Sequence, residues 1–378
     1  MSSTYPQHEF KPDASLPMRE QAAAYVQSLQ RHICAALESV ENGPSPSDSA
    51  SGSQVKFVPD PHIRPNNTGF GITSTLRGGK HIEKAGVAVS IVVGSLGPAA
   101  VQQMKANHKE IKYDPASGES LPFFVAGISL IVHPCNPMAP TVHMNYRYFE
   151  LCESAPMDTT GSESAEFKVP KATGKRTTWW FGGGCDLTPS YVFPEDAKHF
   201  HRTIKDVCDA HCTGFYDPFK AWCDEYFYIP HRQEGRGLGG IFFDDLSAHA
   251  HPRLPSEANG HSETATRATT PEGLFEFMRA CGNAFLPSYL PILQRRVDMP
   301  FTDEERRWQL VRRGRYVEFN LMYDRGTKFG LMAPGARIES ILVSLPETAC
   351  WEYCTDMGKE GTREGELVAL LKTPRAWV

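Results

Sequence analysis

Residues 142–150 read VHMNYRYFE. On an extended chain alternate side chains share a face. His143, Asn145 and Arg147 then point one way, and Met144, Tyr146 and Tyr148 the other. A helix would scatter these six groups around its circumference. A strand puts the methionine and two tyrosines into a core and leaves an acid–base, an amide and a fixed cation in a row on the opposite face. That row reads either as the solvated face of an edge strand or as a carboxylate site. In the second reading Arg147 forks onto a carboxylate, Asn145 donates beside it, and His143 moves a proton near neutral pH.

The apolar runs VAVSIVVG (87–94) and FFVAGISLIV (123–132) are rich in β-branched residues. Both fall well short of the roughly 18–20 residues that cross a bilayer, so they read as buried strands and no membrane span is expected. Further strands are expected at 177–181, 239–244, 315–323 and 338–344. Met18, Ala22, Val26, Leu29, Ile33, Leu37 and Val40 recur at steps of three and four, which predicts a helix over 18–40. Other helices are expected at 96–106, 195–212, 217–227, 271–293 and 302–313. The last opens on Thr302 and Glu305, at capping-box spacing. Several strands follow one another without intervening helices, which predicts an α+β class, a largely antiparallel sheet covered by helices, in one domain over 1–378. GPSPSDSASGSQ (43–54) and SAHAHPRLPSEANGHSETAT (247–266) read as flexible inserts.

With 40% apolar and 22% charged residues, the composition is that of an ordinary soluble globular protein. The net charge of −5 argues against a nucleic-acid binder, so an anionic ligand must be met by local arginines. The ten cysteines include no C-x-x-C pair and read as reduced thiols, without zinc. The first 21 residues contain Glu9, Asp13 and Glu20 and lack both an apolar h-region and an Arg-rich, acid-poor stretch. The expected location is cytoplasmic.

Other stretches add chemistry. In WWFGGGCDLTPSY (179–191) three successive glycines cost chain entropy and make sense where backbone approaches a ligand or turns sharply, with Asp186 just beyond. In HRQEGRGLGGIFFDDL (231–246) His231, Arg232 and Arg236 offer positive charge, while Asp244 and Asp245 read as structural acids at a strand end. RGRYVEFNLMYDRGTKFGL (313–331) puts Val317, Phe319, Leu321 and Tyr323 on one face if extended. GARIESILVSLP (335–346) follows, with Arg337 near its start. No nucleotide motif, flavin signature or Ser-His-Asp or Cys-His nucleophile pattern accompanies them. The residues alone point to a carboxylate-rich ligand and to cofactor-free chemistry.

These stretches, in this order, together with KAWCDEYFYIPHR and the ending PRAWV, resemble the oxygen-dependent coproporphyrinogen III oxidases, with a pattern closest to fungal members. The resemblance covers about residues 82–378 and the N-terminal helix. It implies a large flat antiparallel sheet covered on both sides by helices, and a homodimer formed through strands at about 316–346. It implies oxidative decarboxylation of two propionates of coproporphyrinogen III to vinyl groups, giving protoporphyrinogen IX in haem biosynthesis. Molecular oxygen is the co-substrate, no organic cofactor is used, and a metal requirement is left open. Carried over by position, His143 matches the proton donor, Arg147 part of a substrate-contact segment, and Asp186 an aspartate facing the pyrrole nitrogens; Arg147 is then expected to fix the reacting propionate. Ser129, Asn145, Tyr146, Gly335, Ala336 and Arg337 match substrate contacts, to which Arg232 and Arg236 add charge. His133, His201 and His231, with His143, match histidines proposed as metal ligands in bacterial members.

The pattern departs from the family at 62–71. Its tryptophan is replaced, at Ile63, and its run of four glycines is reduced to Gly69 and Gly71 around Phe70, in a loop expected to cover the substrate. Val93 and Gly235 also differ. Two other readings therefore stay open: decarboxylation of a different aromatic propionate, and a non-catalytic porphyrin-binding dimer.

Overall fold

The computed structural model describes residues 7–43, 54–64, 68–105, 111, 113–114, 117–153, 169, 174–261, 266–332 and 336–378. Its centre is a sheet of seven antiparallel strands. Six of them, β1 (Val58–Ile63), β2 (Gly69–Arg77), β3 (Ile82–Leu96), β4 (Leu121–Pro134), β5 (Thr141–Cys152) and β6 (Arg176–Thr188), are neighbours in sequence and in space. This is the meander that antiparallel pairing permits without crossovers. A two-stranded ribbon, β7 (Tyr228–Ile229) and β8 (Glu234–Gly235), stands apart, and β9 (Gly240–Leu246) closes the large sheet beside β6.

Period-two alternation gives each long strand a core face. On β5, Met144, Tyr146 and Tyr148 are fully buried, while His143, Asn145 and Arg147 are half-buried on the other side. Helices α1 (Met18–Asn42), α3 (Pro194–His211), α5 (Pro271–Asn283) and α6 (Phe285–Arg296) join the apolar face in one core that holds Leu29, Ile33, Tyr148, Phe181 and Phe275. Each such side chain contributes roughly 1.5–3 kcal/mol on burial. A short α2 (Pro98–Lys105) packs near the end of β3. Helix α4 (Tyr216–Tyr226) covers the edge strand β9, with Phe219 against Phe243 (5.1 Å) and Tyr226 stacked on Phe242 (4.3 Å); a bare edge would invite another strand.

Helices lie against the second face too, but around its margins. Helix α7 (Asp303–Met322) crosses the end of β4, where Gln309 and Arg313 donate to the Pro134 carbonyl and Tyr316 meets His133 edge-on. After α8 (Arg325–Met332), α9 (Ile338–Ile341) and a 3₁₀ turn at Leu342–Ser344 lie across β2 to β4, with Val343 filling the space a side chain on Gly86 would need. Helix α10 (Arg363–Lys372) packs on β8.

Four sequence expectations are corrected. Residues 315–322 and 338–344 are helical, not strands. The Thr302–Glu305 capping box starts α7, and once nucleated a helix propagates cheaply. Its buried stripe, Trp308, Arg312, Tyr316 and Phe319 with Gln309, Arg313 and Asn320 beside it, has helical spacing, but its polar members hid the period. The 271–293 helix is broken at Ala284 into α5 and α6. The described part of the 247–266 insert is also no structureless loop. Arg267 donates to the Ser247, His249 and Ala268 carbonyls, and the Asn259 amide brackets His251 through its backbone N–H and carbonyl. Residues 44–53, most of the other insert, lie outside the described residues.

Candidate active site

The cross-strand register turns the second face into three rows. His143 and Asp186 are partners on β5 and β6, in line with Ile131 and Gly86. One row on, Asp60, Thr73, Ala88, Ser129, Asn145 and Gly184 face one another in succession across six strands. In the third row His62, Gly71, Ser90, Gly127, Arg147 and Gly182 do the same. Between the polar ends of the second and third rows, the middle of this floor consists of glycine, alanine and serine. Such a floor is flat and lets a ring-shaped ligand lie close to the backbone.

At the first end, His143 Nδ1 donates to Asp186 Oδ1 at 2.9 Å, and Arg236 Nη2 donates to Asp186 Oδ2 at 2.7 Å. Asp186 and Arg236 are 1% and 3% exposed. Burial works against the ionised form of Asp186, but the Arg236 charge and the His143 hydrogen bond outweigh it and hold the carboxyl below its usual range. Arg236 is itself walled by Phe227, Tyr316 and Phe319, with its guanidinium carbon 4.0–4.9 Å from the ring centres, and Nη1 donates to Asn320 Oδ1 at 3.1 Å. The acceptor Asp186 therefore fixes the proton on Nδ1 of His143 and leaves Nε2 to the open floor. This corrects the expectation that Asp186 faces the ligand: both its oxygens are engaged behind His143.

Arg147 projects from the neighbouring row. Nη1 donates to Asn145 Oδ1 (3.0 Å), and Nη2 pairs with Asp244 Oδ2 at 2.6 Å. Asp244 is held in turn: Oδ1 accepts from the Asp245 N–H, Asp245 has φ 56°, and the Asp244 carbonyl accepts from His251 Nε2. The triple glycine has its reason here. A methyl group on Gly182 would collide with the Asp244 carboxylate, and one on Gly184 with the Ile241 carbonyl.

Of the other residues read from the sequence, Ser129 and Asn145 are adjacent on the floor. Arg337 reaches its far end and pairs with Asp60, with half-buried Ala336 beside it. Gly335 lies outside the described residues. Tyr146 is corrected: it is fully buried on the helix-packed face, its hydroxyl on Cys185 Sγ. Arg232 is also elsewhere, in a surface network where Glu318 takes Arg232 and His231 at 2.7–2.8 Å. Arg236 acts through Asp186 and does not line the floor. His133 bonds Ser344 O and Thr141, and His201 bonds Tyr216 and Leu238 O; burial pushes each imidazole down to about 3. Among the described residues no three His, Cys, Asp or Glu side chains converge as a metal site.

The 62–71 segment is likewise not a covering loop where it is described. It forms the ends of β1 and β2, and Phe70 is 2% exposed in the helix-packed core, away from the floor. Asp244, Asp60 and Thr73 were missed as site residues. Prolines 59 and 61 mask β1 in the sequence, and pairing across strands leaves no local signal. A separate cavity of about 870 Å³, lined by Arg19, Glu150, Arg176 and Arg279 among others, lies at the opposite face of the sheet.

A histidine backed by a buried ion pair, beside a guanidinium on a broad floor of small residues, defines a class of enzyme site for a flat ligand with carboxylate arms. The sequence comparisons narrow that class. The family described as coproporphyrinogen III oxidase matches residues 21–377, and the chain belongs to it. It is 45% identical over 361 residues to the oxygen-dependent coproporphyrinogen-III oxidase of Drosophila melanogaster, covering 96% of this chain and 78% of the relative. The mitochondrial human oxygen-dependent enzyme is 44% identical over 96% of this chain and 67% of its own. The chloroplastic coproporphyrinogen-III oxidase 1 of Arabidopsis thaliana is 44% identical over 97% and 81%. Among the described residues no helix is long and apolar enough to cross a membrane.

Proposed function

We propose that this protein is an oxygen-dependent oxidoreductase that converts two propionates of coproporphyrinogen III to vinyl groups, giving protoporphyrinogen IX in haem biosynthesis. The observation that carries the reading is the His143–Asp186–Arg236 chain set beside Arg147 on a floor of small residues, in a member of this family. In each arm, the C–C bond to the carboxylate supplies the pair that becomes the double bond. The C–H bond next to the ring gives up its proton and two electrons, which reduce oxygen. Arg147 fixes the carboxylate that leaves as carbon dioxide. His143 Nε2 takes the proton and passes it to reduced oxygen, and Asp186, held ionised, steadies the imidazolium formed on the way. The protein's own part is position and proton transfer; an electron-rich pyrrole and oxygen supply the redox chemistry.

The test is turnover. Chelator-treated protein is given coproporphyrinogen III with and without oxygen, and products are resolved by chromatography and mass. Oxygen-dependent loss of two carbon dioxides is expected. A folded protein that leaves the substrate unchanged would sink the reading. Arg147→Ala should lower turnover by about 10²-fold or more.

The proposal includes a homodimer. Leu321, Met322, Leu331, Met332 and Ile338 are exposed apolar residues on α7 to α9, and Met332 is 85% exposed; such a patch marks an association surface. Sedimentation at micromolar concentration should give twice the chain mass. A cytoplasmic location is also proposed, in keeping with ten cysteines that all stand as free thiols, as a reducing compartment would hold them; a tagged copy seen in an organelle would overturn it.

A further inference from the structure

The row that begins at Arg147 ends, four strands away, at His62: Arg147, Gly127, Ser90, Gly71 and His62 are successive cross-strand partners. Four strand spacings are roughly 19 Å. The three residues between have small or no side chains, and the His62 ring stands over Gly71, where an added methyl would come within 2.5 Å of its Cε1. Arg64, two residues on, lies on the same face, its backbone N–H on the Gly69 carbonyl. Its side chain is half-buried, and Nε is fully buried without a hydrogen-bond partner, as is His62 Nδ1. Burial lowers the Arg64 pKa. Burial first, then the charges of Arg337 and Arg64, press the His62 ring toward its neutral form, which places both guanidiniums near it.

The two ends of the floor thus differ. Arg147 is already matched by Asp244, whereas at the other end Asp60 pairs with Arg337 and, among the described residues, no ion pair engages Arg64. A half-buried guanidinium whose buried Nε has no partner among the described residues costs stability. We propose that Arg64, flanked by His62 and Arg337, is a second carboxylate-binding pole that takes the ligand arm opposite the one held by Arg147. The proposal rests on the functional reading above and names how the site selects a ligand with carboxylates on opposite edges of a wide ring. The arm bound at Arg64 does not react; it sets which arm lies at His143.

The test compares wild type, Arg64→Ala and Arg64→Lys. Turnover of coproporphyrinogen III is measured alongside fluorescence binding of two oxidised porphyrins, coproporphyrin III with four carboxylates and protoporphyrin IX with two on one edge. Arg64→Ala should raise KM and weaken coproporphyrin III binding by about tenfold or more. kcat and protoporphyrin IX binding should stay within about twofold. Arg64→Lys should recover part of the binding, since it keeps charge without the fork. The melting temperature of Arg64→Ala should not fall, because the change removes a half-buried charge that has no partner among the described residues; a structural role predicts a fall. Unchanged KM and binding in an active Arg64→Ala protein overturn the second pole alone. A wild type that neither binds nor turns over the tetracarboxylate overturns the functional reading, and the pole with it.

Discussion

Arg147 and Asp244 meet at 2.6 Å directly over Gly182. The guanidinium that would grip an incoming carboxylate therefore already holds one, from the protein itself. A substrate arm must share the fork or displace Asp244, which keeps the cation aligned and its charge balanced between turnovers.

Replacing Asp244 with asparagine should separate those two effects. The neutral amide no longer competes for Arg147, so KM should fall about three- to tenfold. The fork loses its anchor, so kcat should fall by a similar factor. Steady-state kinetics read both. If neither constant moves, substrate does not use this guanidinium.

The glycine run gives a contrast between neighbours. Gly182→Ala pushes only the ends of the Asp244 and Arg147 side chains, so the protein should fold and lose more than about tenfold in turnover. Gly184→Ala drives a methyl into the Ile241 backbone, so it should cost about 1–3 kcal/mol in stability. Urea unfolding and activity together distinguish the two, and equal behaviour would show that the Arg147–Asp244 geometry is irrelevant to catalysis.

Arg236 is argued to work through Asp186. Arg236→Ala leaves a carboxylate 1% exposed without its cation, and about 3–5 kcal/mol of stability should be lost. Adding Asp186→Asn removes the orphaned charge and should restore part of that stability without restoring turnover, since His143 then lacks its ionised partner. A double variant with recovered activity would refute the role given to Asp186.

Acid stability should centre on Glu83. Burial favours its protonated form, but Arg313 (2.7 Å), Thr348 (2.7 Å) and Arg306 outweigh burial and bring the pKa down to about 2. The folded value lies below the unfolded one, so the contribution is complete above the ordinary glutamate value of about 4.3 and disappears as pH falls through about 2. Unfolding free energy should drop between those limits, and Glu83→Gln should be less stable at pH 7 with a shallower drop. The same bridge ties β3 to α7, so weakening it should also loosen the wall beside His143. An identical pH profile in the variant would contradict this.

The alternation of residues 142–150 was legible because a strand in a half-open sheet imposes a period of two, and no tertiary partner is needed to see it. It separated His143, Asn145 and Arg147 from Met144 and Tyr148, as found, and it also placed Tyr146 on the core face against its carried-over role as a substrate contact. The apolar runs of β3 and β4 and the stripe of α1 were equally plain. Helix α7 was not, because its buried face spends Gln309, Arg312, Arg313 and Asn320 on partners far along the chain, and such polar burial looks like surface in a sequence.

The sequence by itself determined the central strands of the sheet, its polar strand face and the residue types available for chemistry, since all three follow from local periodicity and side-chain identity. Only the tertiary structure decided how they are joined. Asp186 and Arg236 are 50 positions apart, Arg147 and Asp244 lie on strands separated by β6, and the line from Arg147 to His62 exists only in the register of five strands. Cross-strand register and long-range ion pairs are fixed by packing of the whole sheet, and nothing in the neighbouring residues encodes them.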